Sequence, residues 1–286
     1  MNKSKKIRSA VLTMVSFLLS IFLVLLALVS VLKATALNPK FAERMLVKSD
    51  YSTLLQKNVK EEFVSLGNAA NVDESFFNEF FTSVITTDKV LSDTKLVFNS
   101  FYSGTPIEKL DMADLEKTLT DELFKYATQK GYSLTNELKS SIADLSKQMC
   151  DLYNSYVNIF GLSYFETAGS LLSRYTPYVT YAIIGFAVLS LISAFIIRMS
   201  YTKRKNVYRF YIYSFSGATL MAAVLPIVIL ASRVATKINI ALPSLFAFAT
   251  MFINQMLYSF LFSALILAVI TALFAGLRIM FVKKNK

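Results

Sequence analysis

The chain has 286 residues, of which 55% are hydrophobic, and a mean hydropathy of +0.50, more apolar than an ordinary soluble domain. It has one cysteine, Cys150, and neither histidine nor tryptophan, which excludes an intramolecular disulfide, Cys/His zinc sites and imidazole-based Ser-His-Asp or Cys-His catalysis. The net charge of +11 is segregated: all 19 Asp and Glu lie between Glu43 and Glu166, so residues 33–175, with 15 Lys and Arg, are at −4 and the rest of the chain is at +15.

Residues 1–9 form a basic tail carrying Lys3, Lys5, Lys6 and Arg8. Residues 10–32 then give 23 uncharged positions. That is about 34 Å of helix at roughly 1.5 Å per residue, enough for a hydrocarbon core of about 30 Å, and predicts a first membrane span. Ala34-Thr35-Ala36 has the small-x-small pattern of a signal cleavage site. The apolar run is longer than a signal h-region of roughly 7–15 residues, so an uncleaved anchor is expected.

Residues 33–175 predict an extracytoplasmic all-helical domain. Asn38-Pro39 reads as an N-cap followed by proline at the first helical position, opening a helix with Phe41, Met45, Leu55, Val59 and Phe63 on its apolar face and a stop at Gly67-Asn68. Asp73 is expected to cap a second helix, whose Phe76, Phe77, Phe80 and Phe81 form a wide stripe best explained by core burial. A third runs from about Asp88 to Gly104. Thr105-Pro106-Ile107-Glu108 has capping-box spacing and predicts a fourth, through Leu115, Leu119, Leu123 and Tyr126 to Gly131. The fifth is the most regular, with Leu138, Ile142, Leu145, Met149, Leu152, Tyr156 and Phe160 spaced three or four apart up to Gly161. Ser163-x-x-Glu166 is a second capping box, whose helix is expected to run into the membrane. No sustained alternation of period two occurs, so a bundle of four or five helices is expected.

Residues 176–197 predict the second span, 198–211 a basic cytoplasmic loop, 212–232 a third span kinked at Pro226, and 256–282 a fourth, followed by the tail 283–286 with Lys283, Lys284 and Lys286. The loop 233–255 holds an apolar stretch, 241–254, that Pro243 interrupts; it reads as an interfacial or re-entrant segment. The positive-inside rule puts both termini and the 198–211 loop in the cytoplasm. The absence of N-x-Ser/Thr sequons from the external segments, together with the lone cysteine, suits a bacterial plasma membrane.

Three groups of residues stand out. Ala264, Ala268, Ala272 and Gly276 recur every fourth position of the last span and form a candidate helix-packing or oligomer interface. Leu138, Ile142, Leu145, Met149, Leu152 and Tyr156 form either a seam inside the bundle or an external partner interface. Arg198, Lys203, Arg204, Lys205 and Arg209, interleaved with Tyr201, Tyr208 and Tyr211, resemble a nucleic-acid patch in composition. At a membrane boundary the same residues read as an aromatic belt and a contact for anionic lipid or a partner, so no nucleic-acid partner is expected. Carboxylates such as Asp111/Asp114 and Glu61/Glu62 alternate with lysines like solvated helix faces. There is no Gly-rich phosphate loop, and no cofactor is expected.

The predicted fold is thus an all-α, four-span protein with an extracytoplasmic helical bundle between spans one and two. The order of spans, one before a large external domain and three after it, is similar to that of the permease subunits of macrolide-exporter-type and cell-division-type ATP-binding-cassette systems. That resemblance implies a cytoplasmic ATPase contacting the 198–211 loop. The membrane helices contain no Asp, Glu or Lys, which argues against an ion-coupled transporter. The first expectation is a non-catalytic membrane protein whose external domain binds a partner, ligand or second copy. The second is a permease-like or accessory subunit of a transport complex driven by a separate ATPase.

Overall fold

The computed structural model describes residues 3–105, 110–159, 163–201 and 204–283, with side chains described throughout except at 3–7, 163–164 and 204–205. All regular elements among them are helical. In order they are α1 (Lys3–Ala34), α2 (Pro39–Lys48), α3 (Tyr51–Ala69), α4 (Glu74–Ser83), α5 (Thr87–Ser103), α6 (Ala113–Gln129), α7 (Asn136–Val157), α8 (Ser163–Met199), α9 (Arg204–Ala231) and α10 (Pro243–Lys283), with a 3-10 turn at Val234–Lys237. Four stretches are long and apolar enough to cross a membrane: Arg8–Ala34, Phe165–Met199, Asn206–Lys237 and Pro243–Lys283. The chain divides into two compact units, a membrane-type unit of Met1–Phe41, Tyr175–Ile238 and Thr250–Lys286, and a helical unit of Ala42–Arg174 and Asn239–Ala249.

In the helical unit α3 packs against α4, α5 and α7, and α6 packs against α7. Tyr51, Leu55, Val59, Phe63 and Gly67 recur at every fourth position of α3 and are all buried, which makes one continuous ridge. Phe63 meets Phe77 and Phe81 edge-on at centroid distances of 6.3 and 5.2 Å. Phe77, Phe80 and Phe81 are buried in the core as expected, and Phe76 is half-buried. The amide of Gln56 donates to the carbonyls of Phe81 (3.0 Å) and Ile85 (2.6 Å), satisfying acceptors that α4 leaves open at its C-terminal end.

The first helix of this region differs from its prediction. It breaks at Asp50, which takes a left-handed φ of +52° and separates α2 from α3. In one continuous helix Leu46 and Tyr51 would point about 140° apart. The break buries both completely. Asp73 stands at the start of α4, but its carboxylate makes no cap; it accepts Lys130 instead. Among the described residues side-chain caps form at Asn38, accepting from the Lys40 N–H as expected, at Thr86, accepting from the Lys89 N–H, and at Thr135, accepting from the Leu138 N–H. The described start of α6 is Ala113, whose N–H donates to the Asp111 carboxylate at 3.0 Å. Pro106 to Glu108 of the expected capping box, and Phe160 and Gly161 at the end of the fifth helix, lie outside the described residues. α8 does start at Ser163, and it continues without interruption through Pro177 to Met199.

In the membrane-type unit α1 and α9 are closely apposed. Ser16, Ser20, Ser214 and Ala218 are buried between them. The Ser16 and Ser214 hydroxyls are 2.7 Å apart, Ser16 donates to the Phe210 carbonyl at 3.0 Å, and Ser20 donates to the Ser214 carbonyl at 2.6 Å. A methyl group on Gly217 would stand 2.6 Å from the Ser20 hydroxyl, so glycine is what permits this approach. Ser16 lies beside Phe210 and Ser214, and Ser20 beside Ser214 and Gly217, so the two helices run in the same direction. Leu12, Leu19, Ile197, Val207 and Phe210 complete a buried core.

Helix extends into two predicted loops. α9 begins at Arg204, not at 212, because Val207, Phe210 and Ser214 keep helical spacing and are buried, so they belong to the packed face. α10 begins at Pro243 and runs unbroken to Lys283, so residues 243–254 are continuous with the last helix. Proline tolerates the first helical position, where its missing N–H has no intrahelical partner in any case. α9 likewise remains helical on both sides of Pro226.

Candidate partner-binding groove

The turns after α3 and after α6 share one end of the helical unit. Asn71 turns the chain with φ +56° and Gly131 with φ +83°, left-handed values that asparagine and glycine accept most readily. Between these turns and the start of α7 lies an apolar recess of about 290 Å³. Its floor is Val72, Leu123, Ala127 and Ile142, all buried. Its walls are Tyr126, Tyr132, Leu138 and Leu145, with Ser141 at the rim. Tyr132 is 55% exposed.

Tyr126 organises this corner. Its hydroxyl accepts the backbone N–H of Asp73 at 3.0 Å, tying the start of α4 to α6. Its ring lies 5.3 Å from Phe76, and the Lys130 ammonium sits 5.5 Å from the ring centre while donating to the Asp73 carboxylate at 2.5 Å. Lys130 and the Tyr126 hydroxyl hold the Asp73 carboxyl below the usual carboxylate range. Beyond Tyr126, Ser75, Glu79, Lys125 and Gln129 line a more polar cleft of about 540 Å³ between α4 and α6.

The structure divides the fifth-helix group. Ile142 and Met149 are buried in the unit's own core, and burial pushes the neighbouring Cys150 thiol up to about 12. Met149 therefore belongs to an internal seam and offers no partner surface. Leu138, Leu145, Leu152 and Tyr156 are half-buried. Leu138, Ile142 and Leu145 come together in the recess with Tyr126 and Tyr132, which spacing alone did not join to them.

Of the four small residues of the last span Ala264 is buried, Ala268 is half-buried, Ala272 is exposed, and a methyl group on Gly276 would meet nothing within 4 Å. A close helix pair is α1 with α9. Its sequence signal, overlooked beside the alanine stripe, is the small-xxx-small spacing of Ser16/Ser20 and Ser214/Ala218.

Of the basic group, Arg198 and Arg209 are exposed at one end of the membrane-type unit. Arg204 and Lys205 fall in the first turn of α9, and Lys203 lies outside the described residues. Arg8 lies over the Tyr201 ring at 4.7 Å, and Tyr208 stacks on Phe281 at 5.6 Å. The start of α1, the α8–α9 connection and the end of α10 therefore gather at the same end. At the other end Lys33 donates to the Thr180 hydroxyl at 2.8 Å, and Tyr175, Tyr178 and Tyr181 are exposed.

Of the carboxylates set beside lysines, Asp111 accepts the Ala113 N–H, and Glu61 faces Lys57 at 3.9 Å on an exposed surface. No group of three or more metal-ligating side chains occurs among the described residues. Compared with models of known protein families, with curated proteins and with solved structures, the chain has no significant match.

Proposed function

We propose that this is a non-catalytic, multi-pass plasma-membrane protein whose helical unit lies outside the cytoplasm and binds a partner or ligand, in a sensing, scaffolding or regulatory role. The observation that carries the reading is the recess at Tyr126, Tyr132, Leu138 and Leu145. Apolar and aromatic side chains converging on a concave site, with tyrosines on its walls, are what binding surfaces use to bury area at low entropic cost. Two features support the orientation. Basic residues of three separate stretches share one end of the membrane-type unit, as cytoplasmic ends do, and every acid falls between Glu43 and Glu166.

The test has two parts. In a Cys150→Ser background, Tyr132→Cys should react with a membrane-impermeant maleimide on intact cells and Ser200→Cys should not. The reverse pattern would overturn the orientation. A photo-crosslinking residue at Tyr132 or Leu138, in the protein in its own membrane, should trap an adduct that the same group at Thr82 does not. If both positions trap nothing, and native mass spectrometry instead recovers a stoichiometric nucleotide-binding subunit, the protein is the transport-complex subunit and the binding reading falls.

A further inference from the structure

At the basic end of the membrane-type unit, five side chains form a row. The Arg8 guanidinium lies over Tyr201 at 4.7 Å, Tyr201 stacks on Phe210 at 5.8 Å with the rings 16° apart, Phe210 meets Tyr213 edge-on at 6.3 Å, and Arg209 lies over Tyr213 at 5.4 Å. Arg209 is also fixed by its Nε, which donates to the Tyr213 hydroxyl at 2.8 Å. Phe210 is buried, so the row is anchored in the core, while both arginines are exposed at its ends. A guanidinium resting on a ring keeps in-plane N–H donors for an oxygen acid beside it, and its planar fork fits a phosphate. No Asp or Glu occurs in residues 1–42 or 167–286, so this unit contains no carboxylate side chain to neutralise either cation.

We propose that this row is a binding site for anionic phospholipid, with a headgroup phosphate received at the guanidinium on either end, Arg8 or Arg209. The side chains next along the same helices fit the rest of such a molecule. Val11, Met14 and Phe17 on α1 and Leu220 and Val224 on α9 are all more than half exposed, an apolar flank suited to acyl chains. The combination of a fixed cationic pair, no acid, and apolar surface along the helices that carry it favours lipid over an acidic protein segment, which would meet only the charged part.

The experiment uses the full chain, delipidated and placed in phosphatidylcholine nanodiscs, then titrated with phosphatidylglycerol and read by native mass spectrometry and thermal stability. The wild type should retain phosphatidylglycerol in preference to phosphatidylcholine and melt at higher temperature as it loads. R8Q/R209Q should weaken that preference roughly 30-fold, whereas Lys33→Gln, at the other end of the unit, should leave it unchanged. Equal retention of the two lipids by the wild type, an undiminished preference in R8Q/R209Q, or retention of an acidic protein without lipid preference would each overturn the proposal. Should the double variant not fold, the wild type decides alone: a preference that weakens as salt is raised supports the site, and one indifferent to salt overturns it.

Discussion

Gly67 sets how closely α3 approaches α4. A methyl group there would stand 2.2 Å from the ring of Phe77, which is fully buried and has no room to move aside. Gly67→Ala gains up to about 1 kcal/mol of helix propensity but overpacks the core by about 1–3 kcal/mol. The net expectation is a lower melting temperature for the helical unit. A Gly67→Ala variant at least as stable as wild type in a thermal melt would show that this corner is loosely packed. A second site is Asp93 on α5, buried and accepting the Tyr153 hydroxyl of α7 at 2.7 Å, with Lys89 at 3.3 Å. Asp93→Ala strands a buried hydroxyl and should cost about 1–3 kcal/mol, while Asp93→Asn keeps an acceptor and should cost less. Burial, then the charge of Asp93, raise the Tyr153 phenol above its ordinary range. The folded state thus holds that proton more tightly than the unfolded chain. Its contribution is complete below about pH 10 and is lost as pH rises beyond, so alkaline denaturation curves of wild type should steepen there and those of Tyr153→Phe should steepen less, the raised Tyr51 and Tyr102 phenols remaining. Cys150 is 2% exposed with its thiol pushed up to about 12, so a maleimide should label it only after denaturation, and a disulfide between copies through it is ruled out while the unit is folded.

At the scale of elements, the helices whose faces repeat at three or four residues were readable in advance. α5 and α7 end and begin where Gly104 and the Leu138 spacing put them, give or take a turn. What spacing could not reveal was competition between local signals. Asp50 carries no breaker signature, and its left-handed turn exists because Leu46 and Tyr51 must both face inward. Pro243 and the charges from Arg204 to Arg209 looked like interruptions, yet proline suits a first turn and these charges share α9 with buried Val207 and Phe210. The recess was half legible: Leu138, Ile142 and Leu145 follow from the period, whereas Tyr126 and Tyr132 join them only through the fold of the α6–α7 turn. The serine seam tests directly. In a Cys150→Ser background, Ser16→Cys with Ser214→Cys should crosslink readily on mild oxidation, since the native hydroxyls are 2.7 Å apart, while Ser9→Cys with Ser214→Cys should not.

For the molecule as a whole, the seam between α1 and α9 has a consequence for how the protein is made. The partners Ser16 and Ser214 are separated by 198 residues of chain. At about 5–20 residues per second, α1 leaves the ribosome roughly 10–40 s before α9 exists to receive it. During that interval the first span has to persist without α9, its serine hydroxyls turned back on the carbonyls of their own helix. It is suited to the wait: its apolar window has a mean hydropathy of 2.9, the highest of the four, against 2.0 for the span that joins it. α9, the least apolar, arrives to find a surface already waiting with matching hydroxyls. Assembly order is thereby written into the distribution of greasy and hydroxylated residues between the two helices, the earlier one built to stand by itself and the later one to be received.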